Sequence, residues 1–282
     1  RPDHPLTARV AVNRLWYHHF GTGLVKSLEN FGVAGERPSH PELLDWLSLE
    51  LVRRGWSIKE MHRLIMNSRT YRQSSRVTTE RLQRDPQNRL LSRMSMQRMD
   101  AESLRDSLLW VAGKLEDRPG GIPDGVSIDR AGLVSAIATA TGGWRRSIYL
   151  QYRRTEIPTM LATFDYPEMG PNCIERTVSI VSPQSLMLMN NRRVRELAAS
   201  FARRVEKTVA KKDGANQGDQ AWDSHVDTVY QLALSRSPSA RERQLGNETL
   251  QKLVSDWEGD RHSALETYCH TILNSAAFIY ID

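Results

Sequence analysis

Four times along this chain of 282 residues a serine stands three positions ahead of a glutamate at the head of an apolar pattern of helical period: Ser39 and Glu42, Ser57 and Glu60, Ser239 and Glu242, Ser263 and Glu266. In that arrangement the hydroxyl accepts from the amide of the third helical residue while the carboxylate reaches back to the cap, so two donors orphaned by a helix start are satisfied together. Gly21 and Gly55 fall where left-handed C-terminal caps belong. A chain punctuated in this way folds as many short-to-medium helices that bury apolar stripes against one another.

The stripes can be read in order. A first helix is predicted over about 7–20, with Val12, Leu15, Trp16 and His19 on one face and Leu6, Val10, Asn13 and Tyr17 on another, hence largely buried. A second, about 40–54, buries Leu43, Leu44, Leu47 and Leu51. A third, about 58–68, aligns Ile58, Met61, His62 and Ile65. A fourth starts near Asp100 and carries Leu104, Leu108, Val111 and Leu115. Residues 118–144, rich in Gly, Ala, Ser and Thr, keep no helical period and read as a long loop. Residues 146–152 form the best strand candidate, and the apolar run 277–281 reads as a second short strand or a buried tail. A short helix follows Pro158, and Ser182-Pro183 opens another with proline at its first position. A longer helix spans about 192–209, and three more cover about 222–235, 240–257 and 263–274.

The fold class expected is therefore mainly α with a small β element, in one domain over 1–282. Its parts are a helical stretch 1–117, the loop and strand 118–157, and a helical stretch 158–282 interrupted by the polar linker 211–220.

No stretch approaches the roughly 18 apolar residues that span a bilayer, and RPDHPLTARV has no apolar core of a secretion signal. The chain starts without methionine in linker-like sequence, which reads as part of a longer protein. Its two cysteines, Cys173 and Cys269, have no metal-ligand spacing and leave a disulfide open. The charge is uneven. Residues 1–100 hold 17 Lys and Arg against 10 Asp and Glu, whereas the remainder holds 22 against 23. The excess is concentrated in residues 63–98, where nine arginines face only Glu80 and Asp85. Such a run raises nucleic acid as a partner, yet Tyr71 is the only aromatic residue there that could stack on a base. A solvated face, or a dock for an acidic neighbouring domain, is the commoner use.

His18, His40 and His62, each 22 residues from the next, are the candidate metal ligands if three helices bring them together. The alternative is a separate structural role for each. Arg14 and His18 share the least apolar face of the first helix. With Arg37 and His40 they form a candidate polar cleft, in which Asn13-Arg14 and Glu36-Arg37 could meet a ligand carboxylate or pair internally. Arg145 and Asp165, beside the strand and the long loop, complete the candidate catalytic set. Cys173 has no histidine near it in sequence to serve as a base. Phosphate-loop, dinucleotide-binding, G-x-S-x-G and H-E-x-x-H motifs are all absent.

The runs HPLTARVAVNRLWYHHFGTGLV and FGVAGERPSHPELLDWLSLELVRRGWSIKEMHRLIMNSRTYRQSS resemble the planctomycete-type C-terminal domain of unknown function. DPQNRLLSRMSMQRMDAESLRDSLL, RRSIYLQYRR, FDYPEMGPNCIERTVSIVSPQSLMLMNN and LNSAAFIYID extend the likeness over almost the whole chain. The resemblance implies a module of a larger, extracytoplasmic protein, preceded by cytochrome-c-like and planctomycete-specific domains that would be its partners. No haem attachment motif lies in this chain, so the resemblance implies no covalent haem here. It carries no assigned catalytic residues. The role expected is an interaction or structural module, its arginine-rich segment docking the upstream domains; the alternatives are first an enzyme on cell-surface polymers or carbohydrate and second a nucleic-acid binder through residues 63–98.

Overall fold

A computed structural model describes residues 4–167, 173, 175–176, 178–213 and 222–281. Among them are twelve helices and six strands of two or three residues, so the protein is mainly α with a small β element. The chain divides into two compact units, residues 1–97 with 282, and residues 98–281.

The first unit is built on α1 (Thr7–Phe20), α2 (Pro41–Arg53), α3 (Ile58–Met66) and the short α4 (Thr79–Arg84). Val12, Trp16 and Phe20 of α1 meet Leu44, Leu47 and Leu51 of α2 and Met61 and Ile65 of α3 in one core. Burying side chains of this size contributes about 1.5–3 kcal/mol each. The second face of α1 is less covered than its sequence predicts: Val10 and Tyr17 are half-buried and Leu6 is exposed. Gly21 ends α1 at φ 75°, donating to the Tyr17 carbonyl, and Gly55 follows α2 at φ 61°. Of the four serine–glutamate pairs, only Ser239 and Glu242 close a full capping box. Ser57 accepts from the Glu60 amide, but the Glu60 carboxylate turns to Arg54 and Arg63. Pro41 fixes the first position of α2, so His40 rather than Ser39 is its cap and is not yet helical.

The second unit begins with β1 (Gln97–Arg98), whose Arg98 opens it, and α5 (Ala101–Val111), capped by the Asp100 carboxylate on the Ser103 amide at 2.7 Å. The strand expected at 146–152 lies earlier. Here β5 (Trp144–Arg145) pairs in parallel with β2 (Leu115–Glu116), and residues 147–149 form a single 3-10 turn. The stretch read as a loop contains an antiparallel hairpin of β3 (Val126–Ile128) and β4 (Val134–Ala136). Three-residue strands are too short to show a period of two.

The helical layer follows: α6 (Thr159–Thr163), α7 (Ser182–Asn190), α8 (Arg192–Asp213), α9 (Asp223–Leu234), α10 (Ala240–Asp256), α11 (Arg261–Leu273) and α12 (Ala276–Ile279), which leads into β6 (Tyr280–Ile281). The strand expected over 277–281 is thus mostly helix. α8 carries Val194, Leu197, Phe201 and Val205 into the core, with Ala198 and Ala202 letting neighbours approach. It runs on to Asp213, into the expected linker, and most of 211–220 lies outside the described residues. α11 starts at Arg261 because Asp260 caps it, accepting from the His262 amide at 2.9 Å and the Ser263 amide at 3.2 Å; Ser263 is already inside the first turn. Gly246 of α10 leaves room for its neighbours, since a Cβ there would stand 2.7 Å from the Tyr268 hydroxyl.

Candidate functional site

The first unit holds a cleft of about 280 Å³ between the segment after α1 and the loop after α4. One wall depends on Asn13, a fully buried amide on α1. Its Nδ2 donates to the Val25 carbonyl and its Oδ1 accepts from the Val25 amide, both at 2.8 Å. The chain then passes so close to α1 that a Cβ on Gly23 would sit 2.4 Å from the Val25 carbonyl oxygen and 2.8 Å from Asn13 Nδ2. The Ser39 amide donates to the Leu24 carbonyl at 2.8 Å, and the Glu36 amide to Ser27 Oγ at 2.9 Å, which folds residues 36–39 back over the same wall.

The other wall is organised by Asp85, which is buried. Its carboxylate accepts from the amides of Arg89 at 2.7 Å and Leu90 at 2.8 Å. Asn88, at φ 51°, donates to the Arg93 carbonyl at 2.9 Å, and asparagine tolerates this left-handed conformation better than most residues. Arg93 in turn donates to the carbonyls of Asp85 and Pro86 at 3.1 Å.

Trp16 and Phe20, stacked at 4.2 Å, give the cleft an apolar side. Its charged lining is Lys26, Arg37 and Arg89 against Glu36. All four are exposed, and among the described residues none of these side chains forms an ion pair or a hydrogen bond. The cleft therefore carries a surplus of two positive charges that the protein itself does not neutralise.

Of the candidates read from the sequence, Arg37 and its neighbour Glu36 line this cleft. Arg14 and His18 are exposed on α1 away from it, and Asn13 serves the backbone instead of a ligand. His40 bonds Ser39 Oγ at 2.9 Å. His62 meets His19, not His18 or His40: His19 Nε2 lies 2.8 Å from His62 Nδ1, with Tyr71 edge-on to His19 at 5.3 Å. Burial, with His62 and His18 nearby, holds the His19 pKa below its ordinary value, so the ring is neutral at pH 7. Among the described residues no group of three or more His, Cys, Asp or Glu is placed to hold a metal ion.

Arg145 and Asp165 belong to the second unit and have internal partners. Arg145, 2% exposed, binds both Asp124 oxygens through Nε and Nη2 at 2.8–3.1 Å. It also donates to the carbonyls of Gly120 and Ile122 and lies over the Tyr149 ring. Asp165 accepts from Arg98 at 2.7 Å and from the Ser179 amide and hydroxyl at 2.8 and 2.7 Å. Burial alone would raise its pKa; the Ser179 bonds and Arg98 together hold it below the usual carboxylate value. Cys173 is exposed and Cys269 buried, both free thiols. Among the described residues no helix is long and apolar enough to cross a membrane.

Of the groups that shape the cleft, Asp85 and Asn88 escape sequence reasoning and Asn13 is read there as a possible ligand contact, because each bonds backbone rather than a recognisable partner. For Asn13 a signal exists: it shares the arc of Trp16 and Phe20 at i, i+3 and i+7, where a polar residue must be bonded.

The family model described as PSD1, protein of unknown function (DUF1553), matches residues 1–250, across both units, and the chain belongs to that family. No curated protein and no solved structure matches the chain.

Proposed function

For this member of the PSD1 family we propose the role of an interaction module in a larger extracytoplasmic protein. It docks through its arginine-rich stretch onto an acidic surface of the domains that accompany it, cytochrome-c-like domains among them. One observation carries the reading. Arg69, Arg72 and Arg76 are exposed, and among the described residues none has an ion pair. Elsewhere arginines are commonly matched to carboxylates, as Arg236 is to Glu242 and Arg243 to Asp227. Unmatched cations on one stretch of chain steer and orient an acidic partner. Arg98 takes no part, since it is committed to Asp165.

Nucleic acid fits the same stretch less well. Tyr71, its one aromatic residue, is half-buried and packs at right angles to His19 and Phe20, so one partly covered ring is all the stretch offers for stacking on a base. A catalytic reading draws on Arg145 and Asp165, which are held in internal bonds.

The test mixes the chain with the cytochrome-c-like domain of the same polypeptide at low and at physiological salt. Association that weakens with salt and is lost in Arg69→Glu/Arg72→Glu/Arg76→Glu is expected. Association unchanged in that variant overturns the proposal, as does retention of the native chain by DNA but not by the domain.

A further inference from the structure

The charged cleft of the first unit shares Arg89 with the arginine-rich stretch but none of Arg69, Arg72 and Arg76, and it has a chemistry of its own. Three features limit what it can hold. Its volume, about 280 Å³, lies toward the small end of ligand sites and suits a single ring or a short chain end. Lys26, Arg37 and Arg89 outnumber Glu36, and none of the four is satisfied from within among the described residues. An arginine fork matches a planar or tetrahedral oxyanion through paired N–H donors.

Glu36 is the discriminating member. In a site for a bare inorganic anion a carboxylate only repels. It becomes useful when the ligand also brings hydroxyl donors, which a carboxylate accepts, and the Gln87 amide at the same cleft adds both a donor and an acceptor. Trp16 and Phe20, both buried in the core, give the cleft an apolar floor against which the C–H groups of a pyranose can rest. Cations, a lone acceptor, an amide and an aromatic wall are together the complement of a hydroxylated ring that bears a negative group.

We infer that this cleft binds an anionic sugar unit, with Arg37 and Arg89 on its acidic substituent and Glu36 and Gln87 on its hydroxyls. The substituent is a carboxylate or a sulfate; both present oxygens in the geometry that the arginines read, and titration separates them.

The experiment is calorimetric titration of the whole chain with glucuronate, glucose 6-sulfate, glucose and inorganic phosphate. One of the two acidic sugars is expected to bind at least about tenfold more tightly than either glucose or phosphate, and which one it is identifies the substituent. Arg37→Ala and Arg89→Ala should each weaken that binding about tenfold or more. Arg14→Ala, an exposed change outside the cleft, should leave it unchanged. Glu36→Ala should narrow the preference for the sugar over phosphate. All four side chains lack internal partners, so these variants keep the fold, which circular dichroism checks. The inference is overturned if neither acidic sugar binds, if phosphate binds as well as both, or if Arg37→Ala binds like the native chain.

Discussion

Removing the Arg145 guanidinium tests whether this residue is a structural hub. Its side chain is 2% exposed and Asp124's 15%, so the pair is shielded from water and little screened. Arg145→Met keeps the unbranched stem of the side chain but strands the Asp124 carboxylate and leaves the Gly120 and Ile122 carbonyls without their donor. Breaking a buried pair from one side costs about 3–5 kcal/mol, a large share of the roughly 5–15 kcal/mol that holds a domain together. Asp124→Leu alone strands the cation and should cost a similar amount. The double variant removes both charges, and an apolar replacement of a buried pair is often neutral. Because the Gly120 and Ile122 carbonyls still lack their donor, it should recover only the cost of the stranded charge and cost no more than either single variant, a non-additivity of several kcal/mol. Urea unfolding followed by tryptophan fluorescence reads this, since Trp144 is the adjacent residue and is itself buried. Limited proteolysis within residues 118–123 should accelerate in Arg145→Met and stay accelerated in the double variant, because both lack the donor to the Gly120 and Ile122 carbonyls. A single variant within about 1 kcal/mol of native, or strictly additive costs, would refute the reasoning.

Other predictions concern single groups. Asn13→Ala leaves both polar groups of Val25 unpaired and should destabilise the first unit by about 2–4 kcal/mol, with the Val25 amide losing hydrogen-exchange protection; an unchanged amide would count against it. Gly23→Ala places a methyl against backbone that cannot yield, and a loss of about 1–3 kcal/mol in the urea midpoint is expected. Glu242, bonded first by Arg236 and also by Ser239, has its pKa lowered to about 2. A carboxylate held low stabilises the fold above its unfolded pKa, and that contribution fades as pH falls from about 4.5 towards 2. Glu242 is about a third exposed and Arg236 nearly half, so the stabilisation is about 1 kcal/mol at most. Glu242→Gln should flatten the fall in stability over that window, and an unaltered pH profile would speak against the assignment.

Helices were legible where apolar spacing and a stop residue agreed. α1 begins and ends where its sequence places it, because Gly21 stops the stripe that ends at Phe20. Cap identity was less legible, since a serine, a histidine before proline and an aspartate can each start a helix. Pro41 and Asp260 decide between them by backbone constraint and by reach. Site residues were the hardest to read. Arg145 and Asp165 have the composition and placement of catalytic groups, but their partners, Asp124 and Arg98, lie 21 and 67 positions away. Nothing local distinguishes a paired charge from an available one. Arg37 could be identified because it lies between turn residues with no apolar period to bury it, while Lys26 and Arg89 became recognisable only once the two loops met.

The bracing of the first unit's loops has a consequence for how such a chain can change. Asn13 and Asp85 brace the walls from within, whereas Lys26, Arg37 and Arg89 have no part in holding them. Shape and selectivity are thus encoded at different positions. A substitution at 26, 37 or 89 alters what is attracted without a folding penalty, whereas one at 13 or 85 removes the pocket altogether. Copies of this fold can therefore diverge in ligand by single steps through fully stable intermediates, and a designer can re-aim the site by rewriting three surface side chains on an untouched frame.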